Sequence, residues 1–293
     1  MFAVTGITGN VGGVVATQLL AGGQPVRAVV RDAGRAEAWA KRGCEIAVAD
    51  IGDSSRLAAA FKGAEGVFVL IPPVFDPSPG FAEAQATAAA LKSALQSARP
   101  GKVVYLSTIG AQARQTNLLS QHTLIEAALG DLPLPITFLR PGWFMENSAW
   151  DVAPARDNGV IPSFLQPLDK PVPMVATADI GRVAAELLQG SWSGGSGSGH
   201  RVVELEGPHR VTPNEIAATF ARLLGRPVKA EPVPRETWIS LFQSQGMKNP
   251  EPRARMVDGF NEGWIEFQGG EAGSQKGTVE LETVLAGLIE KQG

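Results

Sequence analysis

Cysteine is all but missing: Cys44 is the only one in 293 residues. An internal disulfide framework is therefore excluded, and so are Cys-rich zinc or iron–sulfur sites. Tyrosine is as scarce, with Tyr105 alone, and histidine occurs three times. A basic excess is also lacking, since 26 Lys+Arg face 29 Asp+Glu for a net charge of −3. Binding along DNA or RNA draws on such an excess, so no nucleic-acid partner is expected. No apolar run reaches the roughly 18 residues of a membrane span. The start of the chain shows no basic segment followed by an apolar stretch and a cleavage site. We expect no membrane partner, and a reducing cytoplasmic setting fits the cysteine usage.

What is present is alternation. Short apolar runs at Phe2–Thr5, Val26–Val30, Glu45–Ala49, Val67–Ile71, Lys102–Ser107 and Ile136–Leu139 read as strands buried on both faces. Helical stretches lie between them at Val11–Leu20, Arg35–Arg42, Ser54–Phe61, Phe81–Ala98 and Leu118–Leu129. Alternating β and α predicts a doubly wound parallel sheet of Rossmann type, with right-handed crossovers. Beyond Gly142 the pattern loosens. Asp151–Pro173 is Pro-rich, Asp179–Leu188 is helical, and Gly190–His200 reads as a flexible Gly/Ser loop. Arg201–Leu205 looks like one more strand. Thr212-Pro213-Asn214-Glu215 is a helix start, with a Thr cap, Pro in the first turn and Glu three residues on. We therefore expect a dinucleotide-binding domain over 1–142 and a smaller, mostly helical lobe over 143–293, with 177–206 returning to the sheet.

The opening "TGITGNVGG" is the most informative stretch. It places Gly6, Gly9 and Gly12 between the first strand and the first helix. A helix start with free backbone N–H groups and a positive dipole end attracts a phosphate. Gly6 would allow the tight turn, Gly9 the close approach of a pyrophosphate, and Gly12 close packing of helix on strand. Thr8, Asn10 and Val11 complete this expected cradle. Arg31 ends the second strand, where an acidic residue would bond the ribose of NAD. Its guanidinium suits a 2′-phosphate instead, so NADP(H) is preferred over NAD(H). Asp32 beside it could still face a ribose. Asp50 and Ile51 are expected along the adenine, and Ile71, Pro72 and Pro73 along the middle of the cofactor, because ligands sit at the carboxyl ends of strands.

"AVTGITGNVGG", "VVRDAGRA", "VVYLSTIGA", "ITFLRPGWFMEN" and "VTPNEIAATFARLLGRPV" resemble the NmrA-like branch of the atypical short-chain dehydrogenase/reductases. The resemblance covers most of the chain and implies NAD(P) binding. Members include NADPH-dependent quinone and dye reductases and proteins that only sense the cofactor. The wider superfamily reduces carbonyls with a Ser and a Tyr-x-x-x-Lys pair. Ser107 matches the Ser by position. The pair is absent, because Tyr105 lies within a strand and no lysine occurs between Lys102 and Lys170. By the resemblance His122 falls at the Lys position and Glu126 at a structural Glu. His122 is expected at the nicotinamide ribose, with a role as proton donor left open. His122 and Glu126 share a helix face, and pairing with each other is the alternative. Two such ligands without a third predict no metal site.

Pro141, Gly142, Trp143 and Phe144 follow the sixth strand at its carboxyl end. Pro141 and Gly142 are expected beside the cofactor, and Trp143 and Phe144 could stack a planar acceptor. Trp150, Phe164, Trp238 and Phe242 are further pocket candidates, with lobe core as their alternative. Without an acid catalyst, a quinone or dye is a better acceptor than an ordinary ketone. Two readings stay open: a reductase of a small planar electron acceptor, or a cofactor-reading redox sensor. An epimerase-like enzyme suffers from the same missing pair. The resemblance also suggests a homodimer.

Overall fold

The computed structural model describes residues 1–191 and 199–292. In chain order its first half holds β1 (Phe2–Thr5), α1 (Asn10–Ala21), β2 (Val26–Val30), α2 (Glu37–Lys41), β3 (Glu45–Val48), α3 (Ser54–Phe61), β4 (Gly66–Val69), α4 (Ala82–Ala98), β5 (Val103–Leu106), α5 (Ser120–Gly130) and β6 (Ile136–Pro141). There follow β7 (Trp143–Phe144), α6 (Val152–Asn158), β8 (Val160–Ser163), β9 (Met174–Val175), α7 (Thr177–Gln189), β10 (His200–Glu206), α8 (Pro213–Leu224), β11 (Lys229–Pro232), α9 (Trp238–Ser244), α10 (Glu251–Glu262), α11 (Gly270–Gly273), β12 (Gln275–Lys276) and α12 (Leu281–Gln292).

The main sheet has eight strands in the order β12-β10-β6-β5-β4-β1-β2-β3, and every pair in it is parallel. Strand order reverses between β1 and β4. There the carboxyl ends diverge and leave a crevice, the usual ligand site of such sheets. Thr5 marks the split: its hydroxyl accepts from Leu70 N at 2.7 Å and donates to Leu70 O at 3.1 Å. A side chain thus completes the pairing where the backbones part.

Two apolar clusters cover the sheet. Val11, Val15 and Leu19 of α1 join Ile180, Ala184 and Leu188 of α7 on one face. Leu57 and Phe61 of α3, Leu91 and Leu95 of α4, and Ile125 and Leu129 of α5 cover the other. A third cluster fills the C-terminal lobe around Phe220, Trp238, Phe242 and Leu285. At roughly 25 cal/mol per Å² of apolar surface, burial on this scale is the main stabilising term.

The lobe departs from expectation in detail. The stretch read as aperiodic, Asp151–Pro173, contains α6 and β8, and β8 pairs with β11 in a separate small sheet. Residues 192–198 of the predicted loop lie outside the described residues. His200, placed in that loop by sequence, already pairs with Ile136 as the first residue of β10. The Thr212 capping box is present in full, and Gly225 ends α8 at φ +63°.

Candidate functional site

The glycine turn links β1 to α1 at the mouth of the crevice. Gly6 has φ +63°, a left-handed conformation that favours glycine. Gly9 N donates to Gly6 O at 3.0 Å and Gly13 N to Gly9 O at 2.9 Å, closing the turn. A Cβ on Gly12 would lie 2.3 Å from Gly6 O, so α1 can sit this close only without one. A Cβ on Gly9 would meet nothing nearer than Gly6 O at 3.4 Å. The space beside Gly9 is therefore open, while Gly12 is locked by packing.

No side chain caps α1, and its first turn holds no acid. Thr8 and Asn10 are exposed beside it, and Val11 contributes only backbone, since its side chain is core. This uncapped helix start beside open space fits a dinucleotide pyrophosphate. An open groove of about 540 Å³ runs along the outer side of α1 past Trp39, Arg42 and Arg182. Of the predicted cofactor residues only Asn10 lines it.

Arg31 is exposed just past β2 and makes no ion pair among the described residues. Asp32 is engaged locally, its Oδ1 accepting from Gly34 N at 2.9 Å. Asp50 does the same for Gly52 N at 2.9 Å. Asp50 and Ile51 fall in the turn after β3, which ends at Val48. Ile71, Pro72 and Pro73 follow β4 across the crevice. Gln121 at the start of α5 donates to Val74 O at 3.0 Å, which ties that loop to the turn of helix bearing His122.

His122 does not pair with Glu126. Its Nδ1 lies 2.8 Å from the Tyr105 hydroxyl of β5. Burial pushes the imidazole down to about 4, against the pull of the Glu126 carboxylate. The ring is neutral at pH 7, which bears against the proton-donor role that the sequence leaves open. Glu126 instead takes Arg140 of β6, with Nε on Oε1 at 2.9 Å and Nη2 on Oε2 at 2.5 Å. Ser107 Oγ donates to the same Oε1 at 2.5 Å and is itself buried. Its hydrogen is thus committed to Glu126, and only its lone pairs remain for a ligand.

Pro141 closes β6 and is buried; its carbonyl accepts from Ile109 N at 2.9 Å. Gly142 has a packing reason, because its Cβ would lie 2.4 Å from Pro173 O of the neighbouring chain segment. Trp143 and Phe144 are consecutive in the extended β7 and so face opposite ways. Trp143 packs edge-on against Phe260 at 5.2 Å in the lobe, and Phe144 against the sheet cluster. A shared stack of both rings on one acceptor does not fit this alternation. The further aromatic candidates also divide. Trp238 and Phe242 are fully buried lobe core, with Phe164 packed on both, whereas Trp150 is 87% exposed. Among the described residues no group of three or more His, Cys, Asp or Glu could hold a metal. No helix of the described residues is long and apolar enough to cross a membrane.

Sequence reading passed over Asp151. It is half-buried without a cation partner among the described residues, and burial raises its carboxyl to about 6 while a bond to Ser148 opposes this. A folded value above the ordinary 3.8 means the native state holds the proton longer, so its contribution falls as pH rises from about 4 to 6. His122 acts oppositely, since a folded value near 4 against 6.5 costs stability as pH falls through that window. The two effects offset between about pH 4 and 6. Asp151→Asn should stabilise the protein by about 2 kcal/mol at pH 7, a discounted figure for a partly exposed group. It should also unmask a loss below pH 6.5. Urea midpoints measured across this range check both; a midpoint unchanged at pH 7 counts against the buried charge.

An eight-stranded parallel sheet, reversed at β1/β4 and opening on a glycine turn, defines a doubly wound protein of Rossmann type. A model described as the NmrA-like family matches residues 1–268, and the chain belongs to that family. It is similar to the (4-alkanoyl-5-oxo-2,5-dihydrofuran-3-yl)methyl phosphate reductase of Streptomyces griseus, at 31% identity over 79% of this chain and 76% of that one. It also resembles quinone oxidoreductase 2 of Escherichia coli, at 26% identity over 88% and 85% of the two chains. In fold it matches the triphenylmethane reductase of Citrobacter sp. with a TM-score of 0.75, at 21% identity and 99% coverage of both chains.

Proposed function

We propose that this protein is an NAD(P)H-dependent oxidoreductase that passes electrons from NADPH to a quinone or similar planar acceptor. The observation that carries this is the uncapped start of α1 above the Gly6–Gly12 turn, at the reversal point of the sheet. Residues 1–142 hold the nucleotide, and 143–293 supply the acceptor side, with Trp143 at its wall. The sequence relatives named for reductase activity support the reaction class.

Bound reduced nicotinamide supplies a hydride. The chain's residues bind and orient it. Backbone N–H groups of Asn10, Val11 and Gly12 take the pyrophosphate. Arg31 takes the 2′-phosphate, helped by Asp32 being spent on its own turn. His122 holds the nicotinamide ribose as a neutral donor. The sequence lacks the Tyr-x-x-x-Lys pair that supplies the acid in the wider superfamily. A quinone stabilises the charge it gains and takes its proton from water, whereas an ordinary ketone needs an acid during transfer.

Arg31→Ala should weaken NADPH by about 1.5–3 kcal/mol, the worth of a charged hydrogen bond, and leave NADH nearly unchanged. Equal losses for both cofactors sink the assignment. The wider test is consumption of NADPH, followed by its absorbance, against a panel of small quinones. Turnover supports the reductase. Saturable NADP⁺ binding without turnover on any acceptor moves the weight to a redox sensor, a reading that the absent Tyr-x-x-x-Lys pair keeps in play.

A further inference from the structure

We propose that Tyr105 sets the tautomer of His122. It holds Nδ1 as an acceptor and leaves Nε2–H as the only donor the ring can present. The use of that donor at a cofactor ribose rests on the function proposed above; the tautomer itself does not.

The argument is one of hydrogen-bond accounting. Tyr105 is fully buried, and among the described residues its hydroxyl has one partner, His122 Nδ1 at 2.8 Å. Its neighbours are apolar: Val69 and Phe138 lie across the strands, and the Phe138 ring meets it edge-on at 6.3 Å. The phenol keeps its proton, since burial and the Glu126 charge hold it well above its ordinary range. That hydrogen needs an acceptor, and among the described residues Nδ1 is the partner it has. If Nδ1 carried a hydrogen and donated to the phenol oxygen, the phenol hydrogen would be stranded in the core. An imidazolium carries hydrogen on both nitrogens and meets the same penalty. The Tyr105 hydroxyl thus excludes one tautomer and the charged form together.

Nearby charges do not overturn this. Glu126, one turn along α5, favours the charged ring, but its carboxylate is bonded to Arg140 of β6 and to Ser107. On α4, packed against α5, Glu83 is bonded to Ser78, and Lys92 to Asp131. Among the described residues of α4 and α5, these carboxylates are already engaged and do not pair with an imidazolium. The consequence is chemical. His122 offers a hydrogen bond and no transferable proton, so acceptors that need a proton from the protein during hydride transfer are poor substrates.

The test is a long-range ¹H–¹⁵N spectrum of the full chain labelled at histidine. Only three histidines contribute, and His122→Gln assigns the signal. The wild type should show one His122 tautomer, bare at Nδ1 and protonated at Nε2, unchanged over about pH 5–8. Tyr105→Phe keeps the ring and removes the donor. Its two His122 nitrogen shifts should converge, and the ring should begin to titrate, with its pKa higher by about one unit or more. A protonated Nδ1 in the wild type, or the same spectrum in Tyr105→Phe, overturns the proposal. If that variant does not fold, the wild-type tautomer and its constancy with pH still decide. Adding NADP⁺ separates the two claims. A shift at Nε2 supports the ribose contact, and a silent Nε2 with the tautomer intact removes that contact while the Tyr105 role stands.

Discussion

Arg140→Met is expected to cost about 3–5 kcal/mol of stability, the penalty for stripping one partner from a buried ion pair. Arg140 is 5% exposed and Glu126 9%, so neither charge can fall back on water. Two guanidinium nitrogens take the two carboxylate oxygens, and Nη1 reaches Gln112 Oε1 at 3.2 Å and Gln268 Oε1 at 3.3 Å. Glu204, also buried, stands 4.0 Å from the same nitrogen. Methionine fills much of the volume but leaves two buried carboxylates without their cation. Arg140→Lys should recover only part of the loss, because an ammonium cannot make the paired contact. Arg140→Met with Glu126→Gln should recover part of it, since only the Glu204 carboxylate then lacks its cation. The exposed Lys41–Glu37 pair is the control, and Lys41→Met should change stability by no more than about 0.5 kcal/mol. Urea unfolding of the four variants measures this. A wild-type midpoint in Arg140→Met would mean that the core around β6 admits water, contrary to its burial.

This ion pair also shows where sequence reading stops. The sheet was legible because strands buried on both faces write continuous apolar runs, and the glycine turn because its conformations restrict residue type. Beside the ribose and structural places that the resemblance implies, the residues themselves offer Glu126 and His122 only as neighbours four apart on one helix, hence as each other's partners. The fold gives each a different partner on a neighbouring strand: Arg140 for Glu126 and Tyr105 for His122. Helical spacing carries no information about a side chain reaching across from a strand. The aromatic candidates stood open between pocket and core for a related reason. Trp238 and Phe242 bear the composition of a pocket wall, yet core and cleft draw on the same side chains. Gly142 was read for a ligand, while a facing carbonyl of Pro173 accounts for it; two chain segments meeting there could not be seen from either alone. The role of Thr5 is not legible in the sequence, since a hydroxyl that replaces a strand pairing has no spacing rule.

The glycines themselves give the sharpest division between fold and site. Gly12→Ala is expected to cost about 3 kcal/mol or more, because its methyl would lie 2.3 Å from Gly6 O, 2.6 Å from Gly6 C and 2.9 Å from Ile7 N. All three are backbone atoms, so relief requires moving α1 off the sheet or opening the turn. Gly9→Ala meets a gentler neighbourhood. Its φ of −98° is ordinary for any residue, and the nearest atom stands 3.4 Å away. Its stability should change by no more than about 1 kcal/mol, the range of a helix-cap substitution. Its affinity for NADP⁺ should nonetheless fall about tenfold to hundredfold, at about 1.4 kcal/mol per decade, because the methyl occupies the space proposed for the pyrophosphate. Unfolding curves and an NADP⁺ titration on the same samples separate the two outcomes. If Gly9→Ala binds NADP⁺ like the wild type, the phosphate does not lie over this turn. If it folds normally and loses the cofactor, then of the two glycines one is required by the chain's own packing and the other by what the chain holds.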